Sequence, residues 1–491
     1  MLRHIRNICT KSLVALTVSI AAVACSDDDT FTTSSSAALS FGTDTIRFDT
    51  IFSNIPSSYR MFWVRNNNAE GLRIANVRLL SGNQTGFRVN VNGSALSQQQ
   101  GYQTNDIELR SGDSLRVFVE ITSPFNNAAD GKPQQVADDL VFTLESGRQQ
   151  KVNLNAYSWD ATLLRHYTIS KDTTLSAENG RPIVVYDTLR VVPNVTLEIA
   201  PSTVLYMHDG AVINVSGSLK SLGAKDAEVI IRSDRLDNLF TYLPYDNTPG
   251  RWKGIVLDSL SKDNLIQYTD IHSAVNAVTL KNSQLTLTHS TIHNNLGYGV
   301  SSSSSQIFIK NSQISNCLGH CVNLCGDSAI INQSTIAQYY PFSAMRGNAL
   351  NVKMDSTKYN KYGSLKLLNT IVTGYSDDEL SMQVPNGVPP TQLDVNIHHS
   401  LLRTPAPADT SQYSRFCGEG NIYEDAGDTL TLPKNRFKVF DTQNFIYDFT
   451  PLAKSPVISA ADPVTSTDAD DRRGITRKQV PDIGCYENRE E

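Results

Sequence analysis

Two groups of side chains have the types and spacing that metal chemistry needs. His272 and His293 each follow an isoleucine, in Ile271-His272 and Ile292-His293. If successive strands stack at the ~4.8 Å spacing of paired strands, the two imidazoles lie one rung apart, close enough to share a metal ion. The equivalent position one step further on is Ser315, so the pair reads as a solvated surface ladder and no metal ligand set is assigned. Cys317, Cys321 and Cys325, with His320 among them, fit a loose zinc spacing of two to four intervening residues. However, Cys317 aligns with Asn295 and Cys321 with Gly299, which are ordinary turn positions. These thiols are therefore expected as small buried side chains.

Carboxylates decide whether polysaccharide chemistry is possible. A calcium-assisted lyase needs several acids on neighbouring turns, since Ca²⁺ takes 6–8 oxygen ligands. A glycoside hydrolase needs a carboxyl pair about 5–9.5 Å apart. From Ile271 to Ile336 the single carboxylate is Asp327, and the remaining polar positions carry Ser, Thr, Asn and Gln. A catalytic cluster would have to borrow from loops, at Asp234, Asp237 and Asp246 or at Asp377, Asp378 and Glu379. No catalytic residue and no cofactor is assigned. Aromatic side chains suit ligand contact better, through stacking on sugars or anchoring of a protein partner. Phe240, Tyr242, Tyr245, Trp252, Tyr339 and Tyr340 are the candidate ligand-binding residues, and Phe342 lies in the same loop as Tyr339 and Tyr340.

The elements that position these residues show in the periodicity. Ile292, Ile314 and Ile336 recur at a step of 22, as do the pairs Leu296 and Leu318, Gly297 and Gly319, and Val300 and Val322. Ile271 sits 21 before Ile292, and Val278 sits 22 before Val300. A period in the low twenties, in a chain rich in Ser, Thr, Asn and β-branched residues, is the signature of a β solenoid. The leucine-rich repeat pattern is absent, and no amphipathic helix recurs. A right-handed parallel β-helix accounts for the repeat from about residue 165 to 487. Inward isoleucines stack in columns, outward polar residues form ladders, and stability is nearest-neighbour with both ends needing caps. Loops interrupt the period at residues 234–251, 338–362 and 374–392, and again after Arg403.

Residues 39–158 show a different pattern. Period-2 alternation marks Leu115–Ile121, Leu140–Leu144, Phe62–Arg65, Leu72–Leu79 and Phe87–Val91, with turns at Asn92-Gly93, Ser111-Gly-Asp113 and Ser146-Gly147. About seven or eight strands in ~120 residues predict an Ig-like β-sandwich. The fold class is therefore all-β, an Ig-like sandwich followed by a right-handed parallel β-helix.

Before the sandwich, Arg3, His4, Arg6 and Lys11 precede an apolar run from Ser12 to Ala24 that is too short to span a bilayer. This is the layout of a secretory signal over residues 1–24. Ala22-Val23-Ala24-Cys25 resembles the lipobox of bacterial lipoproteins, with Ala22 where Leu is commonest. That resemblance implies cleavage before Cys25 and acylation of its thiol, leaving residues 25–38 as an acidic, polar tether. Acyl chains contribute about 0.8 kcal/mol per buried CH₂, so several of them hold a chain stably to a membrane. Ser26-Asp27-Asp28-Asp29 resembles the acidic tag of lipoproteins displayed outside the outer membrane.

Composition agrees with an extended surface protein. Of 491 residues, 40% are hydrophobic and 19% charged, against about 45–50% apolar in a typical globular domain. The net charge is −6, and loss of Arg3, Arg6 and Lys11 with the leader takes it to −9. Such a balance offers no footprint for nucleic acid or anionic lipid. With Cys9 removed and Cys25 acylated, Cys317, Cys321, Cys325, Cys417 and Cys485 remain, an odd number that does not read as a disulfide framework.

The layout as a whole is similar to Bacteroidetes-type surface lipoproteins that carry an Ig-like domain and a pectate-lyase-like β-helix. The segments that carry this resemblance are Phe48-Asp-Thr-Ile-Phe52, Arg235–Asp246 with Pro249-Gly-Arg-Trp252, Trp252-Lys-Gly-Ile-Val-Leu257, Ser334–Tyr340 and the closing Pro481-Asp-Ile-Gly-Cys-Tyr-Glu487. It implies display at the exterior of the outer membrane, with membrane contact through the lipid alone. The function expected is non-catalytic capture of a glycan or a surface protein. The alternative is a lyase or hydrolase built on the β-helix.

Overall fold

In a computed structural model, the described residues are 30–128, 130–177, 180–355, 362–389, 392–407, 418–424 and 432–489. Residues 1–24, where a leader is expected, and Cys25 and Cys417 lie outside them. The chain forms two compact units, residues up to 127 with 133–158, and residues 128–132 with 159 onwards. Among the described residues, no helix is long and apolar enough to cross a membrane.

The first unit is a sandwich of two five-stranded sheets. One orders Ser40–Phe41, Arg60–Arg65, Ser114–Ile121, Phe87–Val91 and Ser94–Ala95; the other orders Thr45–Phe52, Gln149–Trp159, Gln134–Leu144, Leu72–Leu79 and Gln103–Leu109. Alternation explains the pairing of faces. Leu115, Val117, Val119 and Ile121 point inward from one sheet, and Leu140, Phe142 and Leu144 meet them from the other. The ten strands exceed the seven or eight expected because two are only two residues long and leave no alternation to detect.

The second unit is the parallel β-helix, with three stacks of parallel strands. One stack climbs through Val212–Val215, Gly254–Leu257, Val278–Lys281, Val300–Ser303, Val322–Cys325 and Leu350–Lys353. A second climbs through Val229–Ser233, Thr269–His272, Thr291–Asn295, Gln313–Cys317, Thr335–Gln338 and Ile371–Gly374. The third contains Asn264–Gln267, Gln284–Thr288, Gln306–Lys310 and Ser328–Asn332. Ile231, Ile271, Ile292, Ile314, Ile336 and Val372 lie in one register column, and all are fully buried. The step of 22 residues is thus one turn of the coil.

Polar ladders occur inside the coil as well as outside, which corrects the expectation that they decorate the exterior. Between the third stack and the second, the chain turns through left-handed residues at Tyr268, His289, Asn311, Gln333, Asn369 and His399. The next residue in each turn has a short hydroxyl side chain. The Ser290 amide donates to Ser312 Oγ at 3.2 Å, Ser312 to Ser334 Oγ at 3.3 Å, and Thr370 to Ser400 Oγ at 3.2 Å. A buried backbone N–H without a partner is costly, and the hydroxyl of the following turn supplies one. At Gly254 the approach of neighbouring turns is closer still. Its φ is +115°, and a Cβ there would lie 1.6 Å from the Asn276 carbonyl oxygen.

The C-terminal segment does not add a further rung. It runs along the corner between the third stack and the second, where Asp468 meets Lys310 at 2.7 Å, Arg472 meets Glu228 at 2.6 Å, and Tyr486 donates to Gln313 at 2.6 Å. Its apolar side chains Ile483, Cys485 and Tyr486 pack with Ile371, Leu401, Phe437 and Phe449.

Candidate functional site

The outer face of the second stack carries the principal polar cluster. His272 and His293 are register partners, and their rings stack with centroids 4.7 Å apart. The equivalent position in the turn before belongs to Arg232, two residues beyond the Ile230–Asp270 pairing. Asp270 leads into the Ile271 column and turns its carboxylate toward both imidazoles. His272 Nδ1 lies 2.8 Å and His293 Nε2 3.2 Å from Asp270 Oδ1.

The 234–251 loop completes the cluster. It folds into a small hairpin, Asn238–Phe240 with Leu243–Pro244, followed by a single 3₁₀ turn at Tyr245–Asn247. That turn returns Asp246 to the flank, where its Oδ1 lies 2.8 Å from His272 Nε2 and 2.8 Å from the Arg232 guanidinium. The Asp246 carbonyl accepts from Ser273 Oγ at 2.6 Å, which fixes the position of the turn.

His272 is therefore clasped between two carboxylates. Burial works against its charge, but the charges and hydrogen bonds of Asp270 and Asp246 prevail and lift the imidazole to about 9. Burial would raise both carboxyls, yet the imidazoles hold Asp270 well below the usual range, and His272 with Arg232 holds Asp246 below it. The expectation of a solvated histidine ladder holds for the stacking but not for exposure, because His272 is buried. Asp270, His272 and His293 present three ligand atoms within 4.8 Å of one another, so they are the described residues able to hold a metal ion. Asp270 escaped sequence reasoning because it lies one residue before the regular stretch that begins at Ile271.

The aromatic candidates divide. Phe240 and Tyr242, on the hairpin, are 54% and 61% exposed and stack on each other at 5.6 Å. Tyr245 has Arg235 3.8 Å and Arg251 5.0 Å from its ring centroid, which makes it a strut of the loop. Trp252 is a correction. It is buried in the solenoid core, and its indole N–H donates to the His272 carbonyl at 2.9 Å. Tyr339 is likewise a correction, fully buried against Tyr375 and Phe440 with its hydroxyl 3.2 Å from Thr373. Both rings gain more by filling space between a loop and the coil than by facing water. Tyr340 is also buried, but it lines a shallow depression with Phe342, Arg346 and Tyr375.

Two further acids are buried and bonded to backbone amides. Asp327 accepts from the Ser305 and Cys325 amides at 2.7 and 2.6 Å and from Ser302 Oγ at 2.7 Å; burial nevertheless raises it to about 6. Glu379 accepts from the Ser376 and Ala349 amides at 2.8 and 2.7 Å and is raised by burial to about 7. Cys317, Cys321 and Cys485 are free and buried, and Cys325 is free and partly buried.

Fold and site together define an all-β protein with a β-sandwich and a parallel β-helix that carries a histidine–carboxylate cluster on its flank. No family model and no curated protein matches the chain. Among solved structures, pectate lyase Pel9A is 13% identical, with 67% of this chain and 88% of that chain covered at a TM-score of 0.31. The catalytic unit of a GH87 alpha-1,3-glucanase from Streptomyces thermodiastaticus is 15% identical, with 70% and 79% covered at 0.25. The VesB protease of Vibrio cholerae is 16% identical over 25% of this chain at 0.17, and this chain spans 31% of its length. Similarity at this level carries no argument about the site, and the fold rests on the strand pairings.

Proposed function

We propose that the protein is a non-catalytic surface lipoprotein whose β-helix captures a glycan, held to the exterior of the outer membrane by acyl chains on Cys25. The observation that carries the binding reading is the Phe240–Tyr242 pair. Two large rings stacked on each other and left in water stand at the tip of a loop whose base is fixed by Asp246 to the polar flank. Flat apolar faces beside an array of charged hydrogen-bonding groups suit a pyranose ring, which offers an apolar face and a hydroxylated rim. A binding role also agrees with the state of the acids. Asp246 and Asp270 are engaged with His272 and held ionised, so neither is poised to donate a proton near neutral pH. The acids that are raised by burial among the described residues, Asp327, Glu379 and Glu487, are themselves buried and bonded to backbone amides.

Glycan arrays with the purified ectodomain test the binding reading. Retention of a glycan by the wild type, and its loss in the Phe240→Ala/Tyr242→Ala double variant with an unchanged melting curve, is the expected result. Release of unsaturated or reducing ends from pectin, alginate or glycosaminoglycans would replace it with an enzymatic function. Labelling with radioactive palmitate, lost on Cys25→Ala, tests the anchor.

A further inference from the structure

We infer that Asp270, His272 and His293 form a binding site for a divalent transition-metal ion of the zinc class. The set comprises two imidazole nitrogens and one carboxylate oxygen, drawn from adjacent rungs of one stack, with all three ligand atoms within 4.8 Å of one another. Zinc bound at 2.0–2.2 Å from each ligand requires ligand atoms roughly 3–3.5 Å apart. The observed Asp270 contacts of 2.8 and 3.2 Å are already at that scale.

A second observation lies outside the ligand set. A metal-bound histidine ordinarily donates its other N–H to a carboxylate, which fixes the tautomer and the ring plane. His272 has such a partner in Asp246, whose Oδ1 sits 2.8 Å from Nε2 on the side of the ring away from Asp270. With Nε2–H donating to Asp246, Nδ1 is the nitrogen that faces Asp270 Oδ1, and it carries the proton that an ion displaces. Asp246 is neutralised by Arg232 at 2.8 Å, which leaves Asp270 as the carboxylate whose charge faces the ion. Binding transfers the proton on His272 Nδ1 to solvent as the metal–nitrogen bond forms. Two imidazoles and one carboxylate suit zinc, cobalt and nickel better than calcium or magnesium, which prefer oxygen. Three protein ligands leave a coordination position open for water or a ligand oxygen. The site does not depend on the glycan reading.

The test uses the full chain, purified without a histidine tag and titrated with Co²⁺ alone. One ion per chain, visible d–d bands and displacement by Zn²⁺ are expected, with broadening of the His272 and His293 ring resonances. Asp246→Asn should weaken binding by about 10–100-fold. His293→Ser should weaken it more than Asp246→Asn does, and Ser fits this column because Ser315 occupies the next rung. His208→Ala, at the separate His208–Asp234 pair, should leave it unchanged. Absence of binding, or equal binding by wild type and His293→Ser, overturns the inference. The broadening experiment needs no variant, so a misfolded His293→Ser would leave the inference testable.

Discussion

Replacing Asp327 by Asn should change how the solenoid's stability depends on pH, and the sign follows from the carboxyl's surroundings. Asp327 occupies the rung after Ser283 and Ser305, where the Ser283 amide donates to Ser305 Oγ and the Ser305 amide to Asp327. Burial raises its carboxyl to about 6 from an ordinary 3.8. A shift of about 2 units, at 1.36 kcal/mol each, is about 3 kcal/mol. Because the folded value is the higher one, the contribution is complete below pH 3.8 and is lost as the pH rises to about 6. The wild type should therefore gain about 3 kcal/mol relative to Asp327→Asn on acidification from pH 7 to pH 3.5. The asparagine offers one oxygen where two backbone amides need acceptors, which costs about 1–3 kcal/mol at every pH. The variant should therefore equal or exceed the wild type by up to about 2 kcal/mol at pH 7 and be weaker by about 1–3 kcal/mol at pH 3.5. Urea denaturation followed by Trp252 fluorescence, in a Trp63→Phe/Trp159→Phe background, measures this, since that indole lies in the solenoid core cluster. The difference between the two proteins cancels the titration of the other acids. Parallel profiles, or a variant that gains on the wild type in acid, would refute the assignment of this buried carboxyl.

Other outcomes follow from the same structure. Ile314→Ala empties part of a fully buried column and should cost about 2–5 kcal/mol in urea denaturation. Ser312→Ala removes the acceptor of the Ser290 amide, so stability should fall by about 1–3 kcal/mol and exchange of that amide should accelerate selectively. Gly254→Ala should prevent folding of the coil, seen as protease sensitivity, because its Cβ would overlap the Asn276 carbonyl. Glu379, raised to about 7, contributes stability that is present below about 4.5 and lost as the pH rises through 7. The Ser376 and Ala349 amides should then exchange faster above pH 7 than the base-catalysed rate explains.

The columns of the β-helix are legible in the sequence because one turn is one repeat, and a buried isoleucine tolerates little variation above and below itself. Ile271, Ile292, Ile314 and Ile336 stack as their spacing predicts. The hydroxyl ladder was legible as a repeat but not as a location. Serine suggests the outside by composition, whereas Ser290, Ser312 and Ser334 are fully buried. Each sits after a left-handed residue whose turn aims an amide along the stack, and a short acceptor on the next rung meets that need where a longer side chain would not fit. The C-terminal segment shows the same limit. Its motif could be recognised, but its path along the flank depends on pairings such as Lys310 with Asp468 and Gln313 with Tyr486, remote in sequence.

The candidate site was half legible for a related reason. Periodicity places His272 above His293 because both belong to the repeat, but it is silent about groups that belong to one turn only. Asp270 occupies an outward position where later turns carry Thr291, Gln313 and Thr335, so nothing in the repeat marks it as an acid. Asp246 reaches the cluster through a loop of irregular length. A solenoid built of equivalent turns cannot by itself create a distinctive site, since every rung would offer the same one. Distinction arises where a loop departs from the coil and its return sets a side chain over a rung. Here the departure leaves Phe240 and Tyr242 in water, and the return clamps Asp246 to His272 and Arg232. The same insertion that breaks the period thus supplies both the exposed rings and the carboxylate that orients the buried histidine.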